Sequence, residues 1–496
     1  MQKKIFIETE DVRTRLALVE DGEVVEYYQE RPGRAKLAGN IYVGRVENVL
    51  PGMQAAFVDI GLDKNAFLHL GDIQVSRSEF GEELEKRLSA ASVRRLLRRG
   101  REITVQVIKE PGGAKGPRVS SHITLPGRYA VLLPGVEYVG VSRKIEDEGA
   151  RERLRTLAEE CRPAGMGLIV RTAAKDAPEE AIREDAAQLA EAWEKISVRA
   201  QHSTAPALIH QDEDLVRRSV RDMLSPEVSE IWVNNQAQYE QLRALCEDRA
   251  DIVRMHENPT PLFAFFGLDS KLEKACARRV WLKCGGYLVI DHTEALTVID
   301  VNTGKFVGAQ SLDDTVLRTN CEAAGEIVRQ LRLRDVGGIV IVDFIDMARK
   351  EDQQRLLGCL REELKKDRTK TNLVGLTELG LVELTRKKLR QPLYTLTRRT
   401  CPRCQGLGTI PCEEELALSA LHQLRVKAAH LNAGCWLITA SQAVAGQLLL
   451  LDPPEGLTVY VCAQSGRLDE NAQIDAMEPE QLPAKAKRMT TSKEKE

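Results

Sequence analysis

The 496-residue sequence has no long apolar run, no excess of one charge and no cysteine framework, and each absence removes a class of protein. No stretch approaches the roughly 18–20 consecutive apolar residues that a membrane-spanning helix needs. The N-terminus, Met1-Gln2-Lys3-Lys4-Ile5-Phe6-Ile7-Glu8, passes directly into strand-like alternation, without the apolar stretch that marks a secretory signal. The expected compartment is therefore the cytoplasm. A formal net charge of −3 excludes a uniformly basic nucleic-acid binder, although an average leaves room for patches. Eleven cysteines, an odd number scattered over a long chain, do not read as a disulfide framework. No internal repeat is present, and only the last dozen residues, from about Ala484, are charged and uncored enough to read as a loose tail.

What is present reads as a soluble, globular, multidomain protein. A hydrophobic fraction of 43% and a charged fraction of 29% support packed cores. The length exceeds what one core can organise, so three or more domains are expected. Two basic stretches stand out: Arg94, Arg95, Arg98, Arg99 and Arg101, then Arg386, Lys387, Lys388, Arg390, Arg398, Arg399 and Arg403. Each is either a nucleic-acid footprint or a solvated helix face.

Along the chain, Lys4 to Thr9, Arg15 to Val19 and Val24 to Tyr28 have strand patterning, with a turn at Asp21-Gly22. From Ile41 to His69, short strands are punctuated by glycine and carry Phe57 and Phe67 in exposed register. A charged helical insertion (79–101) and a further strand, Glu102 to Lys109, complete a pattern expected of a five-stranded OB-type barrel, a common single-strand binder. Mixed α/β patterning then runs to about residue 280, with long helices expected over Glu179 to Ala200 and Leu215 to Leu224. The clearest α/β unit spans Val280 to Arg390. It has a hairpin (Tyr287 to Asp291, Leu296 to Val301), a long helix from Leu312, and a strand Ile339 to Asp343. A smaller α/β unit follows Pro411.

Two motifs carry chemistry. In Leu296-Thr297-Val298-Ile299-Asp300-Val301-Asn302, strand alternation puts Asp300 and Asn302 on one face. In Ile339-Val340-Ile341-Val342-Asp343, four β-branched residues read as a strand buried on both faces, which delivers Asp343 to the carboxyl edge of the sheet. Two carboxylates and an amide there suit magnesium, which can activate water against a phosphodiester. Either Asp taken singly reads more readily as a helix cap or turn acid, and only the pair joined by Asn302 on one face brings the two readings level. The second motif, Cys401-Pro402-Arg403-Cys404, has the spacing of a zinc knuckle. With one Cys-x-x-Cys it is a half-site shared by two chains, a redox pair, or a site completed by Cys412 and a distant residue. Its Arg- and Gly-rich loop favours zinc over redox.

These residues resemble the ribonuclease E/G family over nearly the whole chain, and most closely its ribonuclease G branch. The match rests on Ile299-Asp300-Val301-Asn302-Thr303-Gly304, Ile341-Val342-Asp343-Phe344-Ile345-Asp346-Met347, Gly167-Leu168-Ile169-Val170-Arg171-Thr172-Ala173 and Thr400-Cys401-Pro402-Arg403-Cys404, in that family's order. Ribonuclease E carries a long disordered C-terminal scaffold, and nothing of that kind follows the small terminal unit here.

The resemblance implies a magnesium-dependent endoribonuclease that hydrolyses single-stranded RNA to 5′-phosphate and 3′-hydroxyl ends in rRNA processing and mRNA decay. Asp300 and Asp343 would hold the metal, with Asn302 hydrogen-bonding at the scissile phosphate and Asp346 a structural neighbour. Arg171, Thr172, Gly127, Val131 and Arg143 would form a pocket preferring a 5′-monophosphate, completed by Lys370 where the family usually has arginine. Phe57 and Phe67 would stack bases, a role their composition alone would not favour over barrel core, and Lys115 would add charge. Cys401 and Cys404 would bind zinc jointly with a second subunit, making a homodimer able to pair into a dimer of dimers.

The implied architecture is a ribonuclease H-like subdomain (1–37 and 213–279) split by an OB-fold barrel (38–124) and a 5′-sensor domain (125–212). A DNase I-like catalytic domain (280–399), zinc link (400–413), small C-terminal domain (414–483) and disordered tail (484–496) follow. A catalytically inactive RNA-binding regulator and a DNA-directed nuclease are the rival readings.

Overall fold

The computed structural model describes residues 2–31, 36–73, 97–111, 115–304, 312–388, 390–431, 433–466 and 472–491. The expected insertion at 79–101 therefore lies mostly outside the described residues, as do Arg94 and Arg95. The chain divides into two compact units, Met1–Thr397 and Arg398–Glu496. It is a mixed α/β, multidomain fold containing a closed five-stranded barrel.

The first unit opens with three antiparallel strands, β1 (Lys3–Glu10), β2 (Arg13–Glu20) and β3 (Glu23–Glu30). Asp21 and Gly22, both at positive φ (47° and 85°), make the two-residue turn between β2 and β3 whose twist matches the flanking strands. The barrel follows as β4 (Ile41–Leu50), β5 (Ala55–Asp59), β6 (Ala66–His69), β7 (Glu102–Lys109) and β8 (Arg118–Ser120). Order runs β4-β5-β6-β8-β7, and β7 returns to pair with β4, so no edge remains open. Alternation fills it: Ala56, Val58, Ala66 and Leu68 are fully buried inside, and Leu97 joins them at the end of the insertion.

A four-stranded sheet of β9 (Leu125–Pro126), β10 (Ala130–Pro134), β11 (Val139–Val141) and β12 (Met166–Val170) is covered by helices α1 (Glu148–Cys161) and α2 (Glu179–Gln201). Strand β13 (Ala207–His210) then pairs with barrel strand β4, and Ile41 and Val43 share one core with this sheet. Helix α3 (Leu215–Met223), capped by Asp214 through the Arg217 N–H at 2.8 Å, leads back to the first sheet. There β14 (Val228–Val233) pairs in parallel with β1 and carries β15 (Val253–Met255), with α4 (Gln236–Cys246) on the same face as α3.

The remaining sheet of this unit has the order β16 (Arg279–Trp281), β17 (Tyr287–His292), β18 (Leu296–Asn302), β19 (Gly338–Asp343), β21 (Leu381–Arg386) and β20 (Thr371–Leu376). Helix α5 (Leu312–Leu333) makes the crossover between the parallel strands β18 and β19, and α6 (Lys350–Lys365) packs beside it. Both helices lie on one face only. Val340 and Val342 are fully buried against them, whereas Ile339 is 48% exposed and Ile341 is half-buried. The expectation of a strand buried on both faces is corrected here: the four β-branched residues alternate between a helix-covered face and an open one.

The second unit contains α7 (Glu413–His430), β22 (Cys435–Ala440), α8 (Gln442–Leu450), β23 (Val459–Ala463), β24 (Gln473–Met477) and β25 (Lys487–Arg488) around a core centred on buried Trp436. The expectation of a loose tail from Ala484 fails at its start. β25 pairs with β23, and Met489 is 2% exposed within that core; residues 492–496 lie outside the described residues.

Candidate active site

The open face of the β16–β21 sheet brings the two acids together. Asp300 and Asp343 are register partners on the parallel strands β18 and β19, so their side chains leave the same face about 5 Å apart along the hydrogen-bonding direction. Both are exposed. Asn302, two residues beyond Asp300, lies on that face as well, and its Nδ2 donates to Asp300 Oδ2 at 2.8 Å. Gly304 fixes the strand exit: it sits at φ +60°, and a Cβ there would lie 2.4 Å from the Gly285 carbonyl. The donors at this edge are two carboxylates and an amide, all oxygen ligands of the kind a magnesium ion takes while keeping several waters. Among the described residues no cluster of three or more His, Cys, Asp and Glu exists to hold a metal in a closed protein cage.

On the barrel, Phe57 and Phe67 are cross-strand partners on β5 and β6, with ring centroids 6.1 Å apart in an edge-to-face arrangement. Each points away from the barrel core and is half-buried. Lys115 is exposed near the same rim, two residues before Pro117, whose carbonyl accepts the Phe67 N–H at 2.8 Å.

A third cluster forms where β12 meets the loop before β10. Asp185 on α2 accepts the N–H groups of Arg128, Tyr129 and Ala130 at 2.9–3.1 Å, which pins this loop and Gly127 with it. Arg171 Nη1 donates to the Gly127 carbonyl at 2.5 Å and Nη2 to Asp222 at 2.7 Å. Thr172 and Ser142 share a hydroxyl contact of 2.8 Å, beside exposed Arg143. Val131 lies on β10 opposite Ile169, on the sheet face away from the core. Lys370 is exposed on the loop between α6 and β20.

Sequence patterning did not single out the groups that hold this loop in place. Lys144 Nζ donates to the Asp367 carbonyl at 2.7 Å, and Arg368 donates to the Asp222 carbonyl at 2.8 Å and to the Glu26 carboxylate. Arg386 is 4% exposed and bonds Asp367 and Asp335, so it is a structural ion-pair member and not part of a basic surface. These contacts join residues far apart in sequence and leave no local signal.

Residues 124–389, which contain the carboxylate edge and the Arg171 cluster, match the model of the ribonuclease E/G family. Ribonuclease G of Escherichia coli strain K12 is 41% identical over 90% of this chain and 92% of its own length. The chain belongs to the ribonuclease E/G family. A Haemophilus influenzae ribonuclease G is also 41% identical, over 88% of this chain and 90% of that protein. The ribonuclease E of a Nostoc species is 44% identical over 75% of this chain and 54% of its own length.

The remaining motif of this family member lies in the second unit, beyond the part matched by the family model. Cys401 and Cys404 bracket a tight turn in which Gln405 donates to the Cys401 carbonyl and Leu407 to the Cys404 carbonyl, both at 2.8 Å. Backbone N–H groups of Gly408 and then Gly406 point at the Cys404 sulfur and hold its thiol below the usual pKa. A tight turn carrying two cysteines at this spacing, Cys401 exposed and Cys404 partly so, fits half of a tetrahedral zinc site. Cys412 is exposed at the N-cap of α7. No helix among the described residues is long and apolar enough to cross a membrane.

Proposed function

We propose that this chain is an endoribonuclease that cuts single-stranded RNA by metal-assisted hydrolysis, in RNA processing and decay. The observation that carries the reading is the in-register pair Asp300 and Asp343, with Asn302 bonded to Asp300, on the open face of a sheet in a ribonuclease E/G family chain. Asp300 and Asp343 would hold magnesium, which supplies charge neutralisation at the phosphodiester and a water acidified for attack. Asn302 orients Asp300 and offers its amide to the scissile phosphate. The open face leaves room for a strand to lie across the acids, and products carry a 5′-phosphate and a 3′-hydroxyl.

Phe57 and Phe67 stack two bases of the approaching strand, which is sequence-tolerant and contributes roughly 1–3 kcal/mol per base. The Arg171, Thr172, Gly127, Val131 and Arg143 cluster, with Lys370, receives a 5′-monophosphate, since a guanidinium fork and a hydroxyl both donate to its oxygens. We assign the first sheet to a ribonuclease H-like subdomain, the sheet of β9–β12 to the 5′-sensor, and the β16–β21 sheet to a DNase I-like catalytic domain. Cys401 and Cys404 would share zinc with a second subunit, giving a homodimer.

The test is cleavage of a 5′-monophosphorylated oligoribonucleotide by Asp300→Asn and Asp343→Asn proteins, with RNA binding measured separately. We expect binding within about twofold of wild type and cleavage reduced by at least 100-fold. Either variant cutting at near wild-type rate in magnesium refutes the assignment. A wild-type protein that binds RNA without cutting it would instead be a regulator, and one that prefers a DNA oligomer of the same sequence would be a DNA nuclease.

A further inference from the structure

Beside the acids, the open face ends in three side chains that no role so far described uses. Trp281 on β16 is the register partner of Tyr287 on β17, and Tyr287 is the register partner of Asn302 on β18. Opposed residues of antiparallel strands share a face, so Trp281, Tyr287 and Asn302 form one row. The Trp281 and Tyr287 rings stand 5.3 Å apart at 60°. Arg279, the partner of Val289 in the row of Asp300, lays its guanidinium over both rings, 4.5 Å from Tyr287 and 5.8 Å from Trp281. Trp281 is nevertheless 63% exposed.

A tryptophan locked from one side by an arginine and a tyrosine, with its remaining surface in water, is a prepared stacking platform. Two strand spacings place it about 10 Å from Asn302. Its neighbour Arg278 pairs with Asp291, whereas Arg279 lies on the two rings and forms no ion pair with a carboxylate among the described residues, so its charge is available to a phosphate. Three side chains are too few for a stable protein interface, which engages about 20–30 residues a side. Stacking one base beside a backbone phosphate needs only these.

We infer that Arg279, Trp281 and Tyr287 form a base-stacking subsite for a nucleotide adjacent to the scissile phosphate, with Trp281 the ring that meets the base and Arg279 the contact to its phosphate. This subsite rests on the reading of Asp300 and Asp343 as the catalytic edge, and it is separate from the Phe57 and Phe67 pair on the barrel. It orients the strand so that one particular phosphodiester lies over the acids, a positioning role that acts on the choice of bond as well as on affinity.

The experiment is an abasic walk. Single nucleotides on each side of the cleavage position of one oligoribonucleotide are replaced in turn by an abasic residue, and kcat/KM is measured for wild type, Trp281→Phe and Trp281→Ala. One position should cost wild type roughly 5- to 30-fold, the range of a single partly exposed stacked base. Trp281→Ala should lose a similar factor on the intact substrate and nothing further at that position, while Trp281→Phe retains most of the wild-type response. As a second readout, RNA added to the Asp343→Asn protein should quench tryptophan emission, and the Trp281→Phe change should remove that quench.

If every abasic penalty persists unchanged in Trp281→Ala, or if Trp281→Ala cuts like wild type, the subsite does not exist. A loss of self-association in Trp281→Ala, read by sedimentation, would assign the face to a second copy and overturn the inference. Cleavage surviving Asp300→Asn would instead overturn the catalytic reading, whatever the walk shows.

Discussion

The buried carboxylate of Glu26 pairs with the partly exposed guanidinium of Arg368, which ties the first sheet to the loop behind the candidate catalytic sheet. Arg332 from α5 approaches the same carboxylate at 3.0 Å, and the Tyr28 hydroxyl donates to it at 2.6 Å. Arg368 also bonds the Asp222 carbonyl, and Asp222 is the ion-pair partner of Arg171. A continuous run of charged groups thus fixes the candidate 5′-phosphate pocket relative to the helix that crosses between Asp300 and Asp343.

Burial works against the Glu26 charge, but Arg368 and then Arg332 outweigh it and hold the carboxyl at about 2. A folded-state pKa below the unfolded value of about 4.3 contributes stability that is present at neutral pH and lost as pH falls from about 5 towards 2. Glu26→Gln should therefore unfold at lower urea concentration at pH 7, by on the order of 2 kcal/mol, because buried Arg332 keeps only Glu20 as a carboxylate partner and the more exposed Arg368 loses its own. It should also show a shallower loss of stability between pH 5 and pH 3 than wild type. Urea titrations at several pH values, following the first unfolding transition, measure both effects. Parallel curves for the two proteins would show that Glu26 does not contribute to acid sensitivity.

Arg171 is held at Gly127 and Asp222 at once, which leaves its guanidinium fixed in one plane. Lysine keeps the charge but cannot reproduce two fixed donors. In Arg171→Lys the preference for a 5′-monophosphate over a 5′-hydroxyl on one oligonucleotide should fall about tenfold, the worth of one charge-assisted contact. Cleavage of the 5′-hydroxyl substrate should change far less. An unaltered ratio of the two rates would remove Arg171 from the pocket.

Local chemistry was legible where the signal is local. Asp21-Gly22 reads as a tight turn because both residues tolerate positive φ, and the structure puts them there. The hairpin before Asn302 and the five-stranded barrel follow from alternation in the same way, whereas composition alone favoured barrel core for Phe57 and Phe67, and it was the family resemblance that turned this pair outward. Ile339 to Val342 misled because an exposed face carrying Ile339 and Ile341 has the same hydrophobicity as a buried one. Met489 misled because one apolar residue among charged neighbours is too little pattern to mark the strand that carries it into a core. Gln442–Leu450 was not anticipated as a helix, since a segment apolar on most sides has no period to read. The Glu26–Arg368 pair, 342 residues apart, is fixed by packing alone.

Gly304 tests how tightly the strand exit controls Asn302. Alanine there must adopt φ near +60°, a conformation costing about 1–2 kcal/mol, and its Cβ would meet the Gly285 carbonyl backbone at 2.4 Å. The hairpin turn or the exit of β18 must shift, and Asn302 shifts with it. Gly304→Ala should reduce kcat at least tenfold on a short oligoribonucleotide with little change in KM, while the melting temperature of the unit falls by only a few degrees. Wild-type kcat in a folded Gly304→Ala protein would mean that the Asn302 position is not critical.

The thiols of Cys401 and Cys404 would supply two of the four ligands that a structural zinc requires, and the Gly408 and Gly406 N–H groups hold the Cys404 thiol below its usual pKa. If the set is completed by a second subunit, native mass spectrometry should find one zinc per two chains. Cys404→Ser should then lose zinc and dimer together, with a strong chelator giving the same result on the wild-type protein. Completion by Cys412 and another residue of the same chain predicts one zinc per monomer and a Cys412→Ser protein that loses it. A dimer that persists without zinc would separate assembly from the cysteines altogether, because two apolar or charged surfaces, not a shared ion, would then hold the subunits.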